Sequence, residues 1–341
     1  MSFTEQLQSV ALELGAKGRG ILAADESTST IGKRLASINL ENNEVNSRTY
    51  RDLLFRTGGF GKYVSGVILF DETFNQKALG GRTKMIELIQ KARSMAGIKV
   101  DCGVRPLTNF EGETVTEGLD GLRERLKNYA ANGATFAKWR GVVDINGTHI
   151  PSYYSIKANA EALARYAALC QEAGIVPIVE PEVLMDGDHS IERCYEVTEF
   201  ALNAVFNALY DAKVMLEGIV LKPNMVISGM KNKNRASAEQ VAEQTVKCLK
   251  STVPSSVPTV AFLSGGQKDI EATEHLNLMN ANYDLPWNLT FSYGRALQAE
   301  CLKAWGGKPE NVKAAQAVLL HRCRMNYLAA KGQWNADLEK N

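Results

Sequence analysis

The sequence predicts an α/β protein, a single (β/α)8 TIM barrel, on three observations. Eight short apolar runs alternate with longer amphipathic stretches, most runs have a glycine at or near their start, and no G-x-G-x-x-G follows the first run. Continuous apolar runs separated by helices imply parallel strands covered on their outer face. Eight such units favour a closed barrel, and an open doubly wound sheet would favour the glycine fingerprint.

In chain order, a short N-terminal helix precedes strand 1 at 21–24. Strands follow at 67–70, 98–100, 135–137, 175–179, 219–221, 260–263 and 289–291. Gly20, Gly66, Gly97, Gly133, Gly174 and Gly218 read as residues that end one helix and admit the next strand. Apolar residues at three- and four-residue steps predict helices over 83–96, 119–132, 159–173, 191–213 and 238–252. A late helical stretch at 311–317 leads to a short C-terminal tail. No linker or charge block divides the chain, so residues 1–341 are expected to form one domain, a length α/β barrels commonly reach.

The chain is 45% hydrophobic with a formal net charge of +1, which argues against nucleic acid or an anionic membrane as its main partner. No segment reaches the ~18 unbroken apolar residues that span a bilayer. Met1-Ser2-Phe3-Thr4-Glu5-Gln6 has neither a basic nor an apolar signal region. Six cysteines lack C-x-x-C spacing and read as structural thiols of a cytoplasmic protein. The four histidines show no ligand spacing; Asp186-Gly187-Asp188-His189 reads as an acidic turn that N-caps a helix, with Ser190-Ile191-Glu192-Arg193 following. No metal and no cofactor are expected.

In a barrel the site lies where the strands end. Those ends read Asp25 and Ser27, Lys99 and Asp101, Lys138 and Arg140, Glu180 and Glu182, and Lys222 and Asn224. Each pair is spaced i, i+2, so both side chains share one face of their strand. So many charges gathered together are costly unless they pair or bind something. Lys222 lies in the apolar run 218–226. One lysine there could snorkel to solvent, but a desolvated lysine is also a nucleophile towards carbonyl carbon. Lys138 and Lys99 would disfavour its charge, while Glu180 and Glu182 oppose that shift and offer a proton relay.

Ser264-Gly265-Gly266 after strand 7 and Gly294-Arg295 after strand 8 offer backbone N–H groups, a helix N-terminus and a guanidinium to a phosphate. Lys99, Arg140, Lys33, Arg34, Ser27 and Thr30 form a second cationic and hydroxyl group. Lys33 and Arg34 read equally well as a solvated first helical turn. Two phosphate grips would flank the lysine.

Phe136-Ala137-Lys138-Trp139-Arg140, Val179-Glu180-Pro181-Glu182, Leu221-Lys222-Pro223-Asn224-Met225 and Phe291-Ser292-Tyr293-Gly294-Arg295 closely resemble class I fructose-1,6-bisphosphate aldolase, and the likeness runs from 18–27 to 311–317. The resemblance implies a homotetramer that cleaves fructose 1,6-bisphosphate reversibly to dihydroxyacetone phosphate and glyceraldehyde 3-phosphate. It makes Lys222 the Schiff-base lysine and Glu180 the general acid/base. Asp25 would engage the C4 hydroxyl, Lys138 would position and stabilise charge, and Glu182 would tune Lys222. Ser264, Gly265, Gly294 and Arg295 fall to the C1 phosphate. Ser27, Thr30, Lys33, Arg34, Lys99 and Arg140 fall to the C6 phosphate.

Two features depart from that family. Animal members end in a terminal tyrosine that helps protonate the enamine, whereas this sequence reads Asp337-Leu338-Glu339-Lys340-Asn341. The enamine's proton donor and the choice between the bisphosphate and the 1-phosphate therefore stay open. Thr30 stands where the family often has serine and keeps the hydroxyl. Two other readings compete: an imine-forming barrel lyase with one phosphate grip, such as a transaldolase, and a non-enzymatic scaffold with an inert site.

Overall fold

Two phenylalanines crowd the barrel wall, Phe136 from the inside and Phe291 from the helix side, and three strand glycines make room for them. In the computed structural model, which describes residues 3–340, eight parallel strands close in the order β1-β8-β7-β6-β5-β4-β3-β2. They are β1 Gly20–Ala24, β2 Val64–Leu69, β3 Met95–Lys99, β4 Phe136–Val143, β5 Val176–Val183, β6 Val220–Leu221, β7 Thr259–Phe262 and β8 Asn288–Tyr293. Closure is direct, for Ile21 of β1 pairs with Gly66 of β2 on one side and Ser292 of β8 on the other. Met1, Ser2 and Asn341, included in the expected domain, lie outside the described residues.

Gly20, Gly66 and Gly97 do not end helices as the sequence suggested. A Cβ at Gly20 would stand 2.6 Å from the Phe291 ring, and at Gly66 and Gly97 it would stand 2.9 and 2.1 Å from the Phe136 ring. Gly133 and Gly174, at φ 98° and 71°, do take the left-handed conformation that closes a helix.

The helices are α1 Phe3–Gly15, α2 Thr28–Ala36, α3 Glu44–Phe55, α4 Asp71–Asn75, α5 Met85–Lys91 and α6 Leu122–Ala131. They continue as α7 Tyr153–Glu172, α8 Ile191–Asp211, α9 Ala238–Thr252, α10 Asp269–Asn282, α11 Arg295–Trp305 and α12 Val312–Ala329. α1 closes the floor. Its Leu7, Ala11 and Leu14 pack with the inward Ile21, Ile68, Phe136, Val176 and Ala261. The larger core lies between strands and outer helices.

Several boundaries differ from expectation. β4 and β5 run beyond their apolar stretches, because Lys138, Arg140, Glu180 and Glu182 face the barrel mouth while the ladder continues beneath them, with Arg140 opposite Glu180. α5 stops at Lys91, and Arg93 at φ 62° turns the chain into β3. α7 starts early, where the Ser152 hydroxyl accepts from Ser155 N. A hairpin of Val104–Pro106 with Thr114–Thr116 also escaped the sequence reading. All six cysteines are free, and five are buried. No helix among the described residues is long and apolar enough to cross a membrane.

Candidate active site

The C-terminal strand ends surround a cavity of about 1040 Å³. Four charged side chains form an alternating line across it. Lys138 Nζ lies 2.7 Å from Asp25 Oδ2, and 3.3 Å from Glu180 Oε2 in an ion pair without hydrogen-bond alignment. Glu180 Oε1 lies 3.1 Å from Lys222 Nζ. All four residues are at most 9% exposed. Two cations and two carboxylates balance, which lets burial tolerate them.

Burial works against the Lys138 charge, but Asp25, Glu180 and Asp101 outweigh it and hold the ammonium well above the usual lysine range. Burial likewise opposes ionisation of Asp25, and Lys138 first, then Lys222, hold its carboxyl below the usual range. Lys138 and Lys99 do not press their charges on Lys222 unopposed, because each has its own carboxylate: Lys99 Nζ donates to Asp101 Oδ1 at 2.6 Å.

Glu182, expected beside Lys222, instead accepts from Arg140 Nε. The cause is register: one strand over, Val142 stands opposite Glu182, and the long Arg140 side chain reaches across. Burial disfavours the Arg140 charge, and Glu182 more than restores it.

At the β7 and β8 ends, Arg295 Nη2 donates to the carbonyls of Ser264 and Gln267, bracing the turn that carries Gly265. Gly294 precedes α11 and lines the cavity with Ser264, Gly265 and Arg295. Across the mouth, the hydroxyls of Ser27, Ser29 and Thr30 cluster at the N-terminus of α2, with Ser27 Oγ 3.1 Å from Thr30 Oγ1. Lys99 and Arg140 line the same cavity.

Arg34 and Lys33 part company. Arg34 lines the cavity so close to Gly294 that a Cβ there would be 3.5 Å from its Nη2, which sets it beside the β8 end rather than only with the α2 hydroxyls. Lys33 is exposed and outside the cavity wall.

Sequence reasoning passed over three contributors. Glu26, 6% exposed, accepts from Arg34, Arg51 and Gln298, and so anchors Arg34. Ser29 joins the hydroxyl cluster. Ser292 lines the cavity with a buried hydroxyl that has no partner. Its signal was present, since it stands two residues before Gly294 on the same strand face. A cap stands here, but it is Ser190, just after the acidic turn, whose hydroxyl accepts from Arg193 N, and the imidazole of His189 is buried beside it, its pKa lowered by that burial.

A closed (β/α)8 barrel holding a buried lysine against a carboxylate, at a cavity where the strands end, has the architecture of a barrel enzyme. The family model for glycolytic fructose-bisphosphate aldolase class-I matches residues 6–341. The chain is 55% identical over 331 residues to a probable fructose-bisphosphate aldolase class 1 of Xanthomonas axonopodis pv. citri, covering 97% of this chain and 98% of that one. It is 52% identical to the cytosolic fructose-bisphosphate aldolase 6 of Arabidopsis thaliana, covering 98% and 93%. A solved Plasmodium falciparum fructose-bisphosphate aldolase, in complex with TRAP and a small-molecule inhibitor, superposes with a TM-score of 0.96 at 49% identity, covering 98% and 96%. The chain belongs to the class I fructose-bisphosphate aldolase family, a family of metal-independent carbon–carbon lyases.

Proposed function

We propose that this chain cleaves fructose 1,6-bisphosphate reversibly, with Lys222 as nucleophile. The observation that carries the reading is the buried line Asp25, Lys138, Glu180, Lys222. A lysine must lose a proton before it attacks a ketone, and Glu180 is within reach to take it. Glu180 then returns that proton to the carbinolamine oxygen, and water leaves as the imine forms. Glu180, ionised again, accepts the C4 hydroxyl proton while Asp25 engages that hydroxyl, the C3–C4 bond breaks, and its electron pair moves into the imine as an enamine. Glyceraldehyde 3-phosphate leaves. Protonation of the enamine at C3 and hydrolysis free dihydroxyacetone phosphate and restore Lys222. Lys138, fixed as a cation, neutralises charge building near C3 and C4.

Ser264, Gly265, Gly294 and Arg295 would hold the C1 phosphate, with Arg34 beside them and the unpartnered Ser292 hydroxyl turned to the substrate. Ser27, Thr30, Lys99 and Arg140 would hold the C6 phosphate. Glu182 would keep Arg140 in place. We further read residues 1–341 as one barrel domain in a cytoplasmic homotetramer. The exposed Tyr153, stacked on Phe200 at 5.6 Å, offers one surface for a second copy.

Borohydride reduction in the presence of dihydroxyacetone phosphate, followed by peptide mapping, tests the nucleophile. Label on Lys222 is the expected result. Label on another residue, or activity abolished by EDTA, would overturn the assignment.

A further inference from the structure

Between β5 and β6 the regular ladder is short and interrupted by a proline. Pairing joins Ile178 to Val220 and Val179 to Leu221, and Pro181, two residues beyond Val179 on the same edge, has no N–H with which to extend it; Pro223 turns its carbonyl to β7, where it accepts from Leu263 N. The last backbone bond runs from Lys222 N to Val179 O at 2.8 Å. Beyond it the Asn224 side chain takes over. Its Oδ1 accepts from Val183 N at 2.9 Å, and its Nδ2 donates to Thr198 Oγ1 and the Met225 carbonyl, both at 3.1 Å. Asn224 and Thr198 are each 2% exposed, so water has little access to replace these bonds. One tie falls before Glu180 and Glu182 on β5, and the other falls after them.

We infer that Asn224 is a positioning residue for the reaction. Its carboxamide replaces the backbone bond that Pro181 removes, and so fixes the register in which Glu180 Oε1 meets Lys222 Nζ. This rests on the reading of Lys222 as nucleophile and Glu180 as its proton partner. A misplacement of about 1 Å between reacting groups costs on the order of 100-fold in rate. The same segment supplies a comparison: Val226 N donates to Thr245 Oγ1 at 2.9 Å, a buried bond of similar kind that does not reach β5.

The test compares Asn224→Ala, Thr198→Val and Thr245→Val in the full chain, by kcat, KM, Tm and the rate of borohydride trapping with dihydroxyacetone phosphate. Asn224→Ala is expected to lower kcat about 100-fold and slow trapping alike, with KM within about threefold of the parent. Thr198→Val, which removes only the partner of the amide nitrogen, is expected to lower kcat about tenfold. Thr245→Val is expected to lower Tm and spare kcat. If Asn224→Ala and Thr198→Val lose no more kcat than Thr245→Val, the inference is wrong. Should Asn224→Ala fail to fold, Thr198→Val against Thr245→Val decides alone. A parent chain that is not trapped at Lys222 overturns the imine reading itself, so the two failures are distinguishable.

Discussion

Lys138 holds Asp25 at 2.7 Å, and the pair keeps both charges in a place where neither would survive alone. Lys138→Met leaves Asp25 buried with its principal counter-charge gone, so burial then pushes that carboxyl up. A carboxyl held below its ordinary pKa stabilises the fold above the unfolded value of about 3.9 and loses that contribution as pH falls through the folded value. With Lys138 gone the sign reverses. The variant should be about 3 kcal/mol less stable at neutral pH, and its deficit should narrow as acid protonates Asp25. Denaturant melts at neutral and mildly acidic pH measure this; a deficit that is flat across that range would contradict it.

Lys222→Ala should cost on the order of 10⁴-fold or more in kcat, the loss typical of removing a covalent nucleophile. The barrel should survive. Far-ultraviolet circular dichroism unchanged beside lost turnover is the expected pair of results, and retained turnover would remove Lys222 from the role.

Arg34 and Lys33 are neighbours in sequence, but only Arg34 lines the cavity. Arg34→Ala should raise KM for the bisphosphate about tenfold or more, as loss of a charge-assisted phosphate contact does. Lys33→Ala should change it by less than about twofold, since an exposed charge contributes little. Steady-state kinetics on both variants settle the contrast, and equal effects would return Lys33 to the site.

Glu26→Gln should act through stability before chemistry. The change strips the counter-charge from Arg51, which is 2% exposed, and frees Arg34. A loss of about 3 kcal/mol is expected from an orphaned buried guanidinium. Thermal melts check it, together with a raised KM from the unanchored Arg34.

Gly97→Ala should fail by crowding. Its Cβ would meet the Phe136 ring at 2.1 Å, and overpacking of this kind costs about 1–3 kcal/mol. Gly97→Ala with Phe136→Leu should recover part of the lost Tm; no recovery would locate the strain elsewhere.

What the sequence made legible was whatever repeats with a local period. Strand parity placed Lys138 with Arg140 and Glu180 with Glu182, each pair on one face of its strand, because side chains two apart point together. What it hid was whatever depends on distance along the chain. Arg51 and Gln298 meet Glu26 only because α3 and α11 fold beside β1. The strand glycines misled for a related reason: a glycine that spares room for Phe136 looks the same in sequence as one that turns a helix. Charged residues also truncated β4 and β5 on paper, although a barrel mouth is the one place where a strand can continue through them. Glu182 shows the limit of parity, which sets the face of a side chain and leaves its partner undecided.

The plug formed by α1 has a consequence for traffic. With Leu7, Ala11 and Leu14 filling the lower end, the chamber is a vessel with one neck. For the cleavage proposed above, the sugar arrives and both halves depart through that neck. The half bonded to Lys222 stays until its imine is hydrolysed, so the free aldehyde takes that way out first. The covalent bond sets the order of release, and a helix that touches neither product sets their common route.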